Sequence, residues 1–167
     1  MTTVLLPYVQ GMLRRETVTS VRREAASLGW SVVHCDLDPL DHEAYWALLT
    51  DWWDRHEDFV IVEQDVEPVE GSFTKFDECP ISWCSNPYDC GTMTNVLALG
   101  CTRFRKEIMD AYPEALRDAG EVNDSPSLGK RHWKRLDARL AGVLHQHQPR
   151  YSCHPHEPIA IHHHEYT

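Results

Sequence analysis

No two of the six cysteines stand in a Cys-x-x-Cys pair, which excludes a zinc ribbon and a thioredoxin-like motif. Cys35, Cys79, Cys84, Cys90, Cys101 and Cys153 are therefore expected as reduced thiols, several of them in the core. Positive charge is scarce: sixteen basic side chains face twenty-six acidic ones, a formal charge of −10. A surface that neutralises many phosphates is not built that way, so large duplex DNA is an unnatural partner. Long apolar runs are missing too. The opening Met1-Thr2-Thr3-Val4-Leu5-Leu6-Pro7 has no basic segment before its apolar stretch, which is too short for a signal peptide or a membrane span. The expectation is a cytoplasmic protein with no membrane span. No internal repeat is visible, and the one low-complexity tract is His162-His163-His164. At 167 residues the chain reads as a single compact domain, 1–167, able to bury roughly 70% of its unfolded surface without a disulfide or metal staple.

What is present is a short apolar run, Phe59-Val60-Ile61-Val62, that delivers Glu63-Gln64-Asp65 at its carboxyl end and is stopped by Pro68. Its length and β-branched content predict a buried strand. Strand side chains alternate faces, so Glu63 and Asp65 are expected on one side, two residues apart. Hard oxygen ligands in that spacing suit Mg²⁺ or Mn²⁺ and, through the metal, a diphosphate. The plainer alternative is a strand end whose acids face water.

Around this run the pattern alternates. Strands are expected over 3–9 and 30–35, a helix over 18–28 ended by Gly29, and a helix over 41–54 capped by Asp41. Such alternation predicts an α/β fold with a mostly parallel central sheet flanked by helices, whose ligands gather at the carboxyl ends of the strands. Those ends are Pro7-Tyr8, Asp36-Leu37-Asp38 and Glu63-Gln64-Asp65. Residues 67–92 lose periodicity and carry Trp83 and Tyr88, an expected functional loop. A strand over 94–99, a helix over 102–112, a mobile loop over 118–129, a helix over 132–144 and a last strand over 159–161 complete the reading. In the late helix Trp133, Leu136, Leu140 and Leu144 fall at helical spacing, with Asp137 near its middle.

The order of these features resembles the nucleotide-sugar-dependent glycosyltransferases of the GT-A fold, especially small phage and bacterial members. The αβ opening, the DxD-like Glu63-Gln64-Asp65, the Trp133-Lys134-Arg135-Leu136-Asp137 segment and the C-terminal strand followed by histidine carry the likeness. It implies a single Rossmann-like GT-A domain and a metal-dependent transfer of sugar from a nucleotide sugar, UDP-linked by default, to an acceptor hydroxyl. By the same resemblance Asp65 binds Mn²⁺ or Mg²⁺ directly and Glu63 touches the ribose or a metal-bound water. The family commonly has Asp where Glu63 stands. A further metal ligand is expected from His162 or His164, Asp137 is the expected catalytic base with inversion at the anomeric carbon, and Asp36 and Asp38 resemble positions that grip the nucleoside. Asp36 and Asp38 equally suit a local turn. Trp83 and Tyr88 are expected as an acceptor wall, with Trp83 equally suited to the core. The acceptor is left open among a protein, a glycan, a lipid-linked sugar and a modified nucleobase. A homo-oligomer is compatible with so small a domain, and a phage-encoded member would act in the host cytoplasm. Two alternatives come from other classes: a non-enzymatic metal-binding module built on the cysteines with His145, His147, His154, His156 and His162 to His164, and a structural or interaction protein of viral origin.

Overall fold

A computed structural model describes residues 2–90, 93–96, 98–124, 127–148, 153–157 and 159–163. The chain opens β1 (Thr3–Tyr8), α1 (Arg15–Leu28), β2 (Ser31–Asp36), α2 (Ala44–Asp54), β3 (Phe59–Val62). It continues β4 (Val66–Glu67), α3 (Ser72–Glu78), β5 (Trp83–Ser85), β6 (Tyr88–Cys90), β7 (Met93–Val96), β8 (Cys101–Phe104), α4 (Lys106–Ala111), α5 (Ala115–Glu121). A 3₁₀ turn at Trp133–Arg135 leads into α6 (Leu136–His147), and β9 (His154–Pro155) and β10 (Ile161–His162) follow. Among the described residues no helix is long and apolar enough to cross a membrane.

The central sheet has the order β2-β1-β3-β8-β5-β9. The β1–β2, β1–β3 and β5–β9 pairs are parallel, while β8 runs antiparallel to both neighbours. The fold is therefore α/β with a mostly parallel sheet of six strands between helices. Side-chain alternation along β1 and β3 divides the core in two. Leu5, Phe59 and Ile61 join Phe104 and the apolar faces of α2, α4, α5 and α6 on one side, whereas Val4, Leu6, Val60 and Val62 pack with α1 and α3 residues on the other. Parallel strands covered on both faces read as continuous apolar runs, which is why Phe59 to Val62 shows no alternation.

Several boundaries match the sequence pattern. Gly29 ends α1 in the left-handed region at φ 67°, the backbone state for which glycine is suited. The Asp41 carboxylate accepts from the Glu43 N–H at 2.9 Å, so it organises the turn before α2 and is not the cap itself. The second half departs more. The expected helix over 102–112 begins only at Lys106, because Cys101–Phe104 is the strand β8, buried on both faces. The strand expected over 94–99 is β7, half of a small hairpin with β6 outside the main sheet. Part of the supposedly irregular 67–92 segment is α3 and β5, and the expected loop over 118–129 starts inside α5.

Arg103 explains why β8 does not look like a strand. Its side chain is buried, with 2% of the residue exposed, and donates to the carbonyls of Phe76, Cys79 and Ile81. One cation thus ties together carbonyl groups of the end of α3 and the following turn, of which the Phe76 carbonyl also accepts from the Cys79 N–H at 3.3 Å. Replacing it removes three bonds at once and orphans buried acceptors. Arg103→Met is expected to cost about 3 kcal/mol, read as a lower urea midpoint at unchanged m value.

Candidate functional site

In the order β2-β1-β3-β8 the connection after β1 leads to β2 on one side while the chain after β3 goes to the strands on the other, which opens a crevice outside the carboxyl ends of β1 and β3. A cleft of about 410 Å³ lies there, lined by Pro7, Tyr8, Asp38, Tyr45, Glu63 and Asp65 among others. Its size falls within the range of small-ligand pockets. Gln64 closes the floor: its side-chain oxygen accepts from the Val9 N–H at 2.7 Å, and its backbone carbonyl accepts from the Arg14 N–H at 3.0 Å.

The two acids are not on the strand. β3 ends at Val62, and Glu63 to Val66 form a turn closed by the Val66 N–H bonding the Glu63 carbonyl at 3.0 Å. The expected strand geometry of Glu63 and Asp65 is thereby corrected, although the turn still aims both at the cleft. Glu63 is held from both sides. Its backbone N–H donates to the Gly100 carbonyl at 2.9 Å, and Tyr45 O–H donates to its Oε1 at 3.0 Å. Burial pushes the Glu63 carboxyl up to about 7, against the lowering effect of the Tyr45 bond and with further upward push from Asp65 and Asp137. Tyr45 in turn is raised well above its ordinary range by burial and by the Glu63 charge.

Asp65 meets the C-terminal segment. β10 pairs antiparallel with β4, placing His162 opposite Val66, and the His163 N–H donates to the Asp65 carbonyl at 2.8 Å. His162 Nε2 lies 3.4 Å from Asp65 Oδ2. His163 points elsewhere, with Nε2 3.0 Å from Glu67 Oε2. His164 lies outside the described residues. Asp137 sits in the first turn of α6, half-buried, close enough to charge-couple to Glu63 and Tyr45.

Pro7, Tyr8 and Asp38 line the cleft. Asp38 Oδ1 also accepts from the Leu40 N–H at 2.9 Å, the local turn role open to it from sequence. Asp36 is exposed at the end of the edge strand β2 and is not among the lining residues. An aromatic acceptor wall of Trp83 and Tyr88 does not form, because both rings are buried. Trp83 stacks on Phe104 with centroids 5.6 Å apart, while Tyr88 lies under His162 at 5.2 Å and fixes the imidazole from behind. The exposed aromatic of the cleft is instead Trp133, 49% accessible and capped by the Lys134 ammonium. Helical spacing with Leu136 and Leu140 disguised it as core; its place in a 3₁₀ turn ahead of α6 turns it outward. Tyr45 falls within the helix expected over 41–54, and nothing in the sequence signals its bond to Glu63.

Among the described residues the cleft lining includes Asp38, Asp41, Glu63 and Asp65 and no lysine or arginine. A diphosphate entering it needs a cation, and the donor set fits one. The Asp65 carboxylate and the His162 imidazole are spaced as neighbouring ligands of a divalent ion, and the imidazole favours Mn²⁺ over Mg²⁺.

The raised Glu63 value has a measurable sign. A folded pKa near 7, above the ordinary carboxylate value of 4.5, means Glu63 favours the folded state fully below about pH 4.5. That contribution is lost as pH rises through 7. In metal-free protein, the wild type is expected to lose about 2 kcal/mol relative to Glu63→Gln between pH 4.5 and 8, discounted for partial solvent access. Differential melting curves should show this as a change of about 5 °C.

No family model matches this chain, and no curated protein matches it in sequence. Solved structures do share its fold. A glycosyltransferase involved in glycosylation of the major capsid of PBCV-1 superposes with a TM-score of 0.58 at 13% identity, over 96% of this chain and 91% of that one. A protein assigned as a glucose-1-phosphate thymidylyltransferase of Bacillus anthracis, solved with sucrose, gives 0.53 at 6% identity, over 96% and 88%. The chain therefore shares the α/β fold of these two structures.

Proposed function

We propose that this protein is a metal-dependent glycosyltransferase that moves a sugar from a nucleotide-sugar donor, UDP-linked by preference, to an acceptor hydroxyl with inversion. The observation that carries the reading is an acid-lined crevice at the strand ends that holds Glu63 and Asp65, with His162 beside Asp65 and Asp137 close enough to act on the Glu63 charge. Asp65 and His162 would hold Mn²⁺ or Mg²⁺, which when bound neutralises charge developing on the departing diphosphate. Tyr8 and Asp38 would receive the nucleoside, and the exposed face of Trp133 offers a flat apolar surface to a sugar ring. Asp137 would take the proton of the acceptor hydroxyl as its oxygen bonds to the anomeric carbon and the bond to the diphosphate breaks. Tyr45 orients Glu63, which in its charged form accepts hydrogen bonds from a ribose hydroxyl or a bound water. The capsid-directed role of the PBCV-1 neighbour makes protein-linked glycans the first acceptor class to assay.

The test is a thermal-shift panel of sugar nucleotides with and without Mn²⁺. The reading expects one nucleotide sugar to stabilise the protein only when Mn²⁺ is present. Indifference to every donor in both conditions overturns it. NMR of the product anomer then decides stereochemistry, and retention removes Asp137 from the base role.

A further inference from the structure

At one edge of the central sheet β9 pairs parallel with β5, with His154 in register with Cys84. This brings together three side chains the sugar-nucleotide cleft does not use: Cys79 at the end of α3, His154 and His156. Their ligand atoms all lie within 4.8 Å of one another. Cys79 Sγ and His154 Nδ1 are already 3.4 Å apart, and the two imidazoles meet edge to face at 4.7 Å. A tetrahedral zinc with bonds of about 2.3 Å to sulfur and about 2.0 Å to nitrogen separates those two ligand atoms by roughly 3.5 Å.

A second observation is independent of this spacing. His156 Nε2 is fully buried and has no hydrogen-bond partner among the described residues. Buried polar atoms are nearly always satisfied, and one that is not points to a missing water or ion. The ring is held nearby by the backbone, since the His156 N–H donates to the Ser85 carbonyl at 2.9 Å, and it packs edge-on against Phe76. Buried Arg103 donates to the Cys79 carbonyl at 2.9 Å, which fixes the backbone that carries the thiol.

We infer that Cys79, His154 and His156 form a zinc site separate from the sugar-nucleotide cleft, with the fourth position open to water on the exposed side of His154. One thiolate and two imidazoles are borderline-soft ligands, a set suited to Zn²⁺ and unsuited to the hard cations of the cleft. The site ties the segment carrying β9 to α3 and β5, six residues ahead of His162. Its role is structural: metal there fixes the segment that supplies a ligand to the other site.

The experiment uses untagged full-length protein, stripped with chelator and titrated with Zn²⁺ by calorimetry, with Co²⁺ as a spectroscopic probe. One zinc per chain is expected, together with a thiolate-to-cobalt charge-transfer band. Both should persist in the Asp65→Ala/His162→Ala variant, which separates this site from the cleft whatever the fate of the transferase reading. His154→Ala, a change at an exposed residue that leaves the core intact, should weaken binding at least about 100-fold. Cys79→Ser should abolish the charge-transfer band. Absence of stoichiometric zinc in the wild type, or undiminished binding in the combined Cys79→Ser/His154→Ala variant, overturns the inference. Preference for copper with no tight zinc binding overturns it equally.

Discussion

Asp65→Ala is expected to lower kcat/KM for sugar transfer on the order of 10³-fold and to erase the Mn²⁺ dependence of donor binding. The expectation follows from how the residue is placed. Its carboxylate faces His162 Nε2 at 3.4 Å in a cleft whose lining has no lysine or arginine among the described residues, so removing it leaves His162 alone of the two proposed ligands. The backbone consequences should be slight, because the bond from His163 uses the Asp65 carbonyl and survives the substitution. A melting temperature within about 2 °C of wild type is therefore expected in the absence of metal, the usual scale for a partly exposed change. Full activity in Asp65→Ala, or Mn²⁺-dependent donor stabilisation that persists in it, would remove Asp65 from the metal role.

The second large effect concerns Asp137→Asn. A general base contributes about 10²- to 10⁴-fold, and an amide of the same shape cannot accept the proton, so kcat should fall within that range. Donor affinity should hardly change, since Asp137 is not among the residues lining the cleft. The split between kcat and KM is therefore diagnostic: loss in both would assign Asp137 to binding. One complication is chemical. Removing the Asp137 charge relieves one of the influences that raise Glu63, so the Glu63 carboxyl should titrate lower in Asp137→Asn. The pH dependence of donor binding, measured by thermal shift across pH 5 to 8, should move to lower pH in this variant, whereas simple unfolding of α6 would move nothing but the baseline.

The first half of the fold was legible because each element carries its own signature. Val4 to Leu6 and Phe59 to Val62 are short β-branched runs, α2 shows Trp46, Leu49, Trp52 and Trp53 on one side, and Gly29 marks a helix end. The same local logic found the strand ends and hence Tyr8, Asp38, Glu63 and Asp65 at the cleft. It fails where an element's reason lies elsewhere in the molecule. Cys101 to Phe104 is a strand because Arg103 is claimed by carbonyls more than twenty residues upstream, which no window of sequence displays. Trp133 and Tyr45 look like packing residues in the sequence and line the cleft in the structure. Trp83 and Tyr88 show the converse: aromatic residues in an irregular stretch that turn inward because β5 and the His162 ring need packing partners. Gly100 belongs to the same class, since a Cβ there would come within 2.4 Å of the Tyr88 ring.

The β4–β10 ladder is only two residues long on each side, yet it joins Asp65 to a histidine roughly a hundred positions away in sequence. Short ladders at the margin of a fold open at lower free energy than a six-stranded sheet. Amide hydrogen exchange should therefore report the His163 amide, bonded to the Asp65 carbonyl, as far less protected than the amides of β1 and β3. On mild heating or in low urea, catalysis should then fade while the sheet is still intact, so that inactivation and global unfolding become two separate transitions in the same protein.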